Sequence, residues 1–252
     1  MKTPARIFLL LLLIGTVGQS ATRSDINTIE AAEKIRYLSQ KIAKDYLYLY
    51  SRPQRTDLKR ALHNMTDELG QSFRVIADST RDNATKDLLQ YLNYNKDNIE
   101  DLLAKKVTKE GSQKMLDYSE VLLEGADSIA REHRYEFNRE EKMLMNIKKD
   151  QYLVQRLGKF YMASHLGALS QTNRRKMKES ENALKKGLGI IQDYPYPPAL
   201  IQPKKDLNLF WKSSHHILSH AYDMFIPNLV TTTSDYFEKL LSELALYHSK
   251  SQ

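Results

Sequence analysis

Tyr37, Gln40, Lys41 and Lys44 are spaced i, i+3, i+4 and i+7, which places them on one stripe of a helix. Two ammonium groups, a carboxamide and a phenol so arranged can donate hydrogen bonds to an anionic ligand or to carboxylates of a neighbouring helix. The same types return as Tyr152, Gln155, Arg156 and Lys159. A core requires the apolar stripe through Leu38, Ile42 and Tyr46 to persist in both places, but it requires no polar one. The repeated polar stripe therefore reads as a contact surface, for another helix or for an anion. Common descent of two copies is the plainer account.

A second group is His215, His216 and His220. His216 and His220 lie at i and i+4, with Asp223 at i+7 from His216, so they could share a metal. Ile217 stands where a metalloprotease helix would carry its Glu, and an ordinary polar helix face is the simpler account. Histidines also titrate near neutrality, so a pH-responsive patch is a further reading. The chain has no cysteine nucleophile, no Gly-rich phosphate loop and no Gly-x-Ser-x-Gly elbow. No enzyme activity, cofactor or metal is expected.

These residues need helices to hold them. Apolar residues recur every three or four positions, as at Ile29, Ala32, Ile35, Leu38, Ile42, Tyr46 and Leu49. Breaks fall at Ser51-Arg52-Pro53, at 79–83 and at 108–111. Helices are expected near 26–50, 54–78, 84–106 and 112–138, then near 140–168, 174–192, 204–225 and 234–249. The Tyr194-Pro195-Tyr196-Pro197-Pro198 segment and Pro203 should keep the third helix of the second set from starting before residue 204, and residues 231–235 should cap the last one. No run alternates with a period of two.

The second half repeats the first. Residues 37–47 reappear 115 positions later as 152–162. Lys86-Asp87-Leu88 returns as Lys205-Asp206-Leu207, and Asp117-Tyr118-x-Glu120-x-Leu122-Leu123 as Asp235-Tyr236-x-Glu238-x-Leu240-Leu241. Three matches in the same order indicate a tandem duplication. The expected fold is all-α: two tandem four-helix, up-and-down modules, 26–138 and 140–249, joined by a long central helix that stacks them end to end. A kink near Asn138 is the competing arrangement.

Lys2 and Arg6 precede the apolar run 7–14, and small residues follow at Gly18, Ser20 and Ala21. That pattern reads as a signal peptide, 1–20, cleaved after Ser20. Retention of 7–17 as an anchor is the alternative. Without cysteine there is neither disulfide nor lipid attachment. Losing Lys2 and Arg6 lowers the formal charge from +7 to +5. Acids interleave with the bases throughout, the mark of a solvated helical surface rather than a nucleic-acid face. The densest basic run, Asn173-Arg174-Arg175-Lys176-Met177-Lys178, reads as an exposed helix start.

Residues 29–46 resemble the helix that opens the sensor domain of type IV pilus methyl-accepting chemotaxis transducers (PilJ-type). They are also similar to the periplasmic P-box of nitrate- and nitrite-sensing histidine kinases. Ile29, Ala32, Lys34, Arg36, Leu38, Ser39, Gln40, Lys41, Ala43 and Lys44 match that pattern, whereas Glu30, Glu33, Ile35 and Tyr37 depart from it. The second copy keeps Leu153, Gln155, Arg156 and Lys159 and carries Gln151 in place of Arg36. Residues 206–211, ending in Trp211, loosely resemble a later element of the family.

The resemblance implies an all-helical extracytoplasmic sensor module. In the kinase sensors the ligand lies between two such helices across a dimer interface, and Arg36 would be the anion-binding residue. With Gln40, Lys41 and Lys44, and Gln155 and Lys159 of the second copy, it forms the expected ligand site. Glu33 adds a negative charge beside Arg36, and the second copy should bind more weakly. No membrane span and signalling domain follow the module here, so its expected partners are a small ligand and a membrane-bound transducer or kinase. Homodimerisation stays open. The expected location is the periplasm, and the alternative role is a structural or assembly factor of an envelope machine such as a pilus.

Overall fold

The computed structural model describes residues 23–133, 135–168, 170–219 and 225–250. The signal segment, His220 and Asp223 lie outside the described residues, as does the side chain of His216. The chain is all-helical, with no strand among the described residues. In order the helices are α1 (Arg23–Ser51), α2 (Thr56–Ser79), α3 (Asn83–Leu103), α4 (Lys109–Glu132), α5 (Arg139–His165), α6 (Gln171–Asp193), α7 (Pro198–Ser219) and α8 (Pro227–Lys250). None of the described helices is long and apolar enough to cross a membrane.

Most starts are written in the sequence. Asp82, Thr108 and Ser170 cap α3, α4 and α6 through side chains that accept backbone N–H bonds from Thr85, Gly111 and Asn173. Asn138 and Glu141 form a reciprocal capping box at the start of α5.

That box corrects the expected long central helix. The helix α4 stops at Glu132, His133 turns to extended geometry with φ −88° and ψ 97°, and Asn138 restarts the chain as α5. Two helix starts also differ from expectation. Pro198 and Pro227 occupy the first positions of α7 and α8, where a missing N–H costs nothing, so both helices begin six or seven residues before their expected starts. Pro203 sits inside α7 and forfeits a single backbone bond.

The expected end-to-end stacking is likewise replaced by a side-by-side arrangement. Helix α1 packs on α2 and α4, and α3 packs on the same two. Helix α5 packs on α6 and α8, and α7 touches those two in turn. The two sets meet mainly through α1 against α5. Glu30 lies near Lys148, and Gln40 and Lys44 lie near Lys159 and Gly158, so α1 and α5 run in the same direction.

Two apolar clusters result. One gathers Ile35, Leu38, Ile42, Leu62, Phe73, Leu92 and Leu122; the other gathers Leu157, Phe160, Leu184, Leu207, Phe237 and Leu244. Leu47, Tyr48, Leu116 and Leu123 from the first four helices join the second cluster and tie the sets together. Because α1 and α5 are enclosed by neighbours, their polar stripes are buried along with their apolar ones. Gly158 lets them approach: a Cβ there would meet the aliphatic stem of Lys44 and the hydroxyl of Ser234.

Candidate functional site: the seam between the two signature helices

Gln40, Lys44, Gln155 and Lys159 are all fully buried in this seam. Lys159 Nζ donates to Gln40 Oε1 at 2.6 Å, to Ser119 Oγ at 3.0 Å and to Glu120 Oε1 at 2.6 Å. Gln40 in turn donates to the Ser119 carbonyl at 2.9 Å. Glu120 also takes Arg156 at 2.5 Å and Lys176 at 2.9 Å. Burial pushes the Glu120 carboxyl up, but Lys159 and Arg156 together overcome it and hold the group well below the usual carboxylate range. Burial draws Lys159 down to about 8 despite Glu120, which leaves it charged at neutral pH.

A related network stands on the other side. Glu238 accepts from Lys41 at 2.7 Å, from Gln155 at 3.0 Å and from the Tyr37 hydroxyl. Lys44 reaches Asp235 at 3.2 Å and Asp45 at 3.4 Å. The repeated polar stripe is thus a helix-to-helix contact, one of the two readings its spacing allowed.

Arg36 lies apart from these four. Its guanidinium is held by Glu33 and by Asp127, the latter at 2.5 Å. Its counterpart Gln151 donates to Ser242 at 2.9 Å. Arg36, Lys41, Lys44 and Lys159 each have a carboxylate partner, so an oxyanion at any of them would have to compete with one.

Beside the network a cleft of about 460 Å³ opens between α1, α5 and α8. Glu33, Tyr37, Lys148, Gln151, Glu238 and Ser242 line it, so both halves of the chain contribute. Glu33 is buried, and its Oε2 has no hydrogen-bond partner among the described residues. Burial raises the Glu33 carboxyl above its ordinary value against the pull of Arg36.

Sequence reasoning missed this cleft. It is built from Glu33 and Tyr37 of α1 joined to residues more than 100 positions away in α5 and α8. It also missed a clasp that occurs twice. His133 Nδ1 lies 2.9 Å from Asp25, and His248 Nδ1 lies 2.8 Å from Glu140, each pair 108 residues apart. The second clasp is enclosed by Tyr194 and Tyr196, whose hydroxyls meet Glu140 and His248 Nε2. The equal separation of the two acid and histidine pairs was the available signal. Elsewhere, His215 is 3.4 Å from Glu181, and no group of three His, Cys, Asp or Glu side chains among the described residues could hold a metal.

No protein-family model, no curated protein and no solved structure matches this chain. Its function must be argued from the seam and the cleft.

Proposed function

We propose that the chain is a sensor-type helical binding module of the periplasm, made of two fused copies of one four-helix unit. It takes a small ligand in the cleft between its two signature helices and passes occupancy to a membrane-bound transducer or kinase. One observation carries this reading: α1 and α5 lie side by side in parallel, and the cleft beside them is lined from both copies and from α8. A ligand there touches both halves at once and biases their relative placement, which is what a signal requires. The volume suits a metabolite-sized molecule.

The test is thermal unfolding against a panel of charged and neutral metabolites. A ligand of this site raises the melting temperature with concentration, and Ser242→Phe, which fills the rim of the cleft, abolishes the rise. The closely paired seam favours a second reading, a structural or assembly factor of an envelope machine such as a pilus. That role predicts no small-molecule shift and co-purification with a large partner.

A further inference from the structure

We propose that the cleft between α1, α5 and α8 selects a small organic cation carrying N–H donors, an ammonium or guanidinium compound, with the Glu33 carboxylate as its receiver. This rests on the ligand-cleft reading above and adds the chemical class, opposite in sign to the anion that the family resemblance implies.

The argument is an account of which charges are already taken. Lys34 is bound to Glu68 at 2.6 Å, and Lys148 faces Glu30 at 3.6 Å. Glu238 is occupied by Lys41, Gln155 and Tyr37. Gln151 and Ser242 are bonded to each other. Glu33 is the cleft carboxylate that is buried yet unsaturated, because Arg36 takes Oε1 and leaves Oε2 without a hydrogen-bond partner among the described residues. A buried carboxylate oxygen without a donor is costly, and an N–H cation supplies both the missing charge and the missing hydrogen bond.

The rest of the cleft fits such a guest. Lys34 and Lys41 each lie 5.9 Å from the Tyr37 ring centre, so this ring already faces cations. The Gln151 carboxamide and Ser242 hydroxyl offer further acceptors. The chain is basic, at +7 in full and +5 without Lys2 and Arg6, so non-specific charge attraction works against cations.

Calorimetry and thermal unfolding at 150 mM salt with agmatine, putrescine and L-arginine test the class. Tetramethylammonium, which is charged but lacks a donor, serves as control, and nitrate, acetate and L-glutamate are the anionic arm. At least one of the three N–H cations should bind at one site per chain, while tetramethylammonium does not. Glu33→Gln should weaken that cation at least tenfold, and Ser242→Phe should abolish its binding. If Glu33→Gln fails to fold, Ser242→Phe on the exposed rim together with the tetramethylammonium comparison decides the matter. Binding of an anion but no cation, lost in Ser242→Phe, overturns the class and leaves the ligand-cleft reading standing. Failure of the three N–H cations to bind overturns this inference, and failure of the wider panel removes the cleft reading as well. Cation binding that Glu33→Gln or Ser242→Phe leaves unchanged overturns the assigned site.

Discussion

Lys41 donates to Glu238 at 2.7 Å across the seam, and the bond has a reciprocal. Arg156, the counterpart of Lys41, reaches Glu120, the counterpart of Glu238, at 2.5 Å. Each half thus presents a base on its first helix to an acid on the last helix of the other. The two bonds differ in setting: the Lys41 side chain is 20% exposed, while Lys159, which shares Glu120, is sealed.

That difference predicts unequal mutants. Glu120→Gln leaves Lys159 buried without its carboxylate and should cost about 3–5 kcal/mol in urea unfolding. Glu238→Gln should cost clearly less, because Lys41 can turn to water. Equal losses would contradict the burial pattern.

Asp150 is the weak point of the second core. It occupies the position of Ile35 in the first copy, is fully buried, and its two carboxylate oxygens have no hydrogen-bond partner among the described residues. It rests on Gly187, where a Cβ would run into the carboxylate. Burial raises its pKa well above the ordinary value, so its stabilising protonated form is lost as pH rises from about 4 through the folded pKa. Asp150→Asn should therefore be more stable than wild type at pH 7, by at least about 1 kcal/mol, with the gap closing near pH 4. Urea midpoints at the two pH values check both the sign and the closure.

The His248 clasp titrates the other way. Burial lowers its pKa from the ordinary 6.5 against the pull of Glu140, so the folded state resists the proton that the unfolded chain accepts. Stability should fall as pH drops below about 6.5. His248→Gln, which keeps a donor and an acceptor, should flatten that fall between pH 7 and 5.5. An unchanged slope in the variant would show that the clasp does not carry it.

Gly158→Leu is predicted to force α1 and α5 apart, because even a Cβ at that position crowds the Lys44 stem. Lower unfolding cooperativity and loss of any cleft ligand are the expected readouts. Ala at the exposed Gly189, which has nothing near its Cβ, is the control.

Much of the fold was legible because helices declare themselves locally. Ile29, Ala32, Ile35, Leu38, Ile42, Tyr46 and Leu49 were read from spacing, and each is buried. The caps at Asn138 and Ser170 are equally local. What spacing could not supply is which surfaces face each other. Glu120 and Glu238 were seen as repeat markers and not as partners of Arg156 and Lys41, since that pairing exists only once α1 lies beside α5. Gln40 and Lys44 read as ligand donors for the same reason: a buried polar stripe and a solvated one look alike in one dimension. Glu33 was noted for the charge it sets beside Arg36, but its orphaned oxygen emerges only from the packing.

Reciprocal bonds such as Lys41 to Glu238 and Arg156 to Glu120 are the signature of an isologous dimer. Two such units carried on one polypeptide would associate independently of dilution. Their union also releases the halves from having to remain identical. A true homodimer would be obliged to own every feature twice, including its cleft. Here Gln151 stands in the second half where Arg36 stands in the first, Lys148 where Glu33 does, and Asp150 where Ile35 does. In two joined copies of one unit such asymmetry can be kept, so that one side of the seam is free to specialise while its twin acts as a brace.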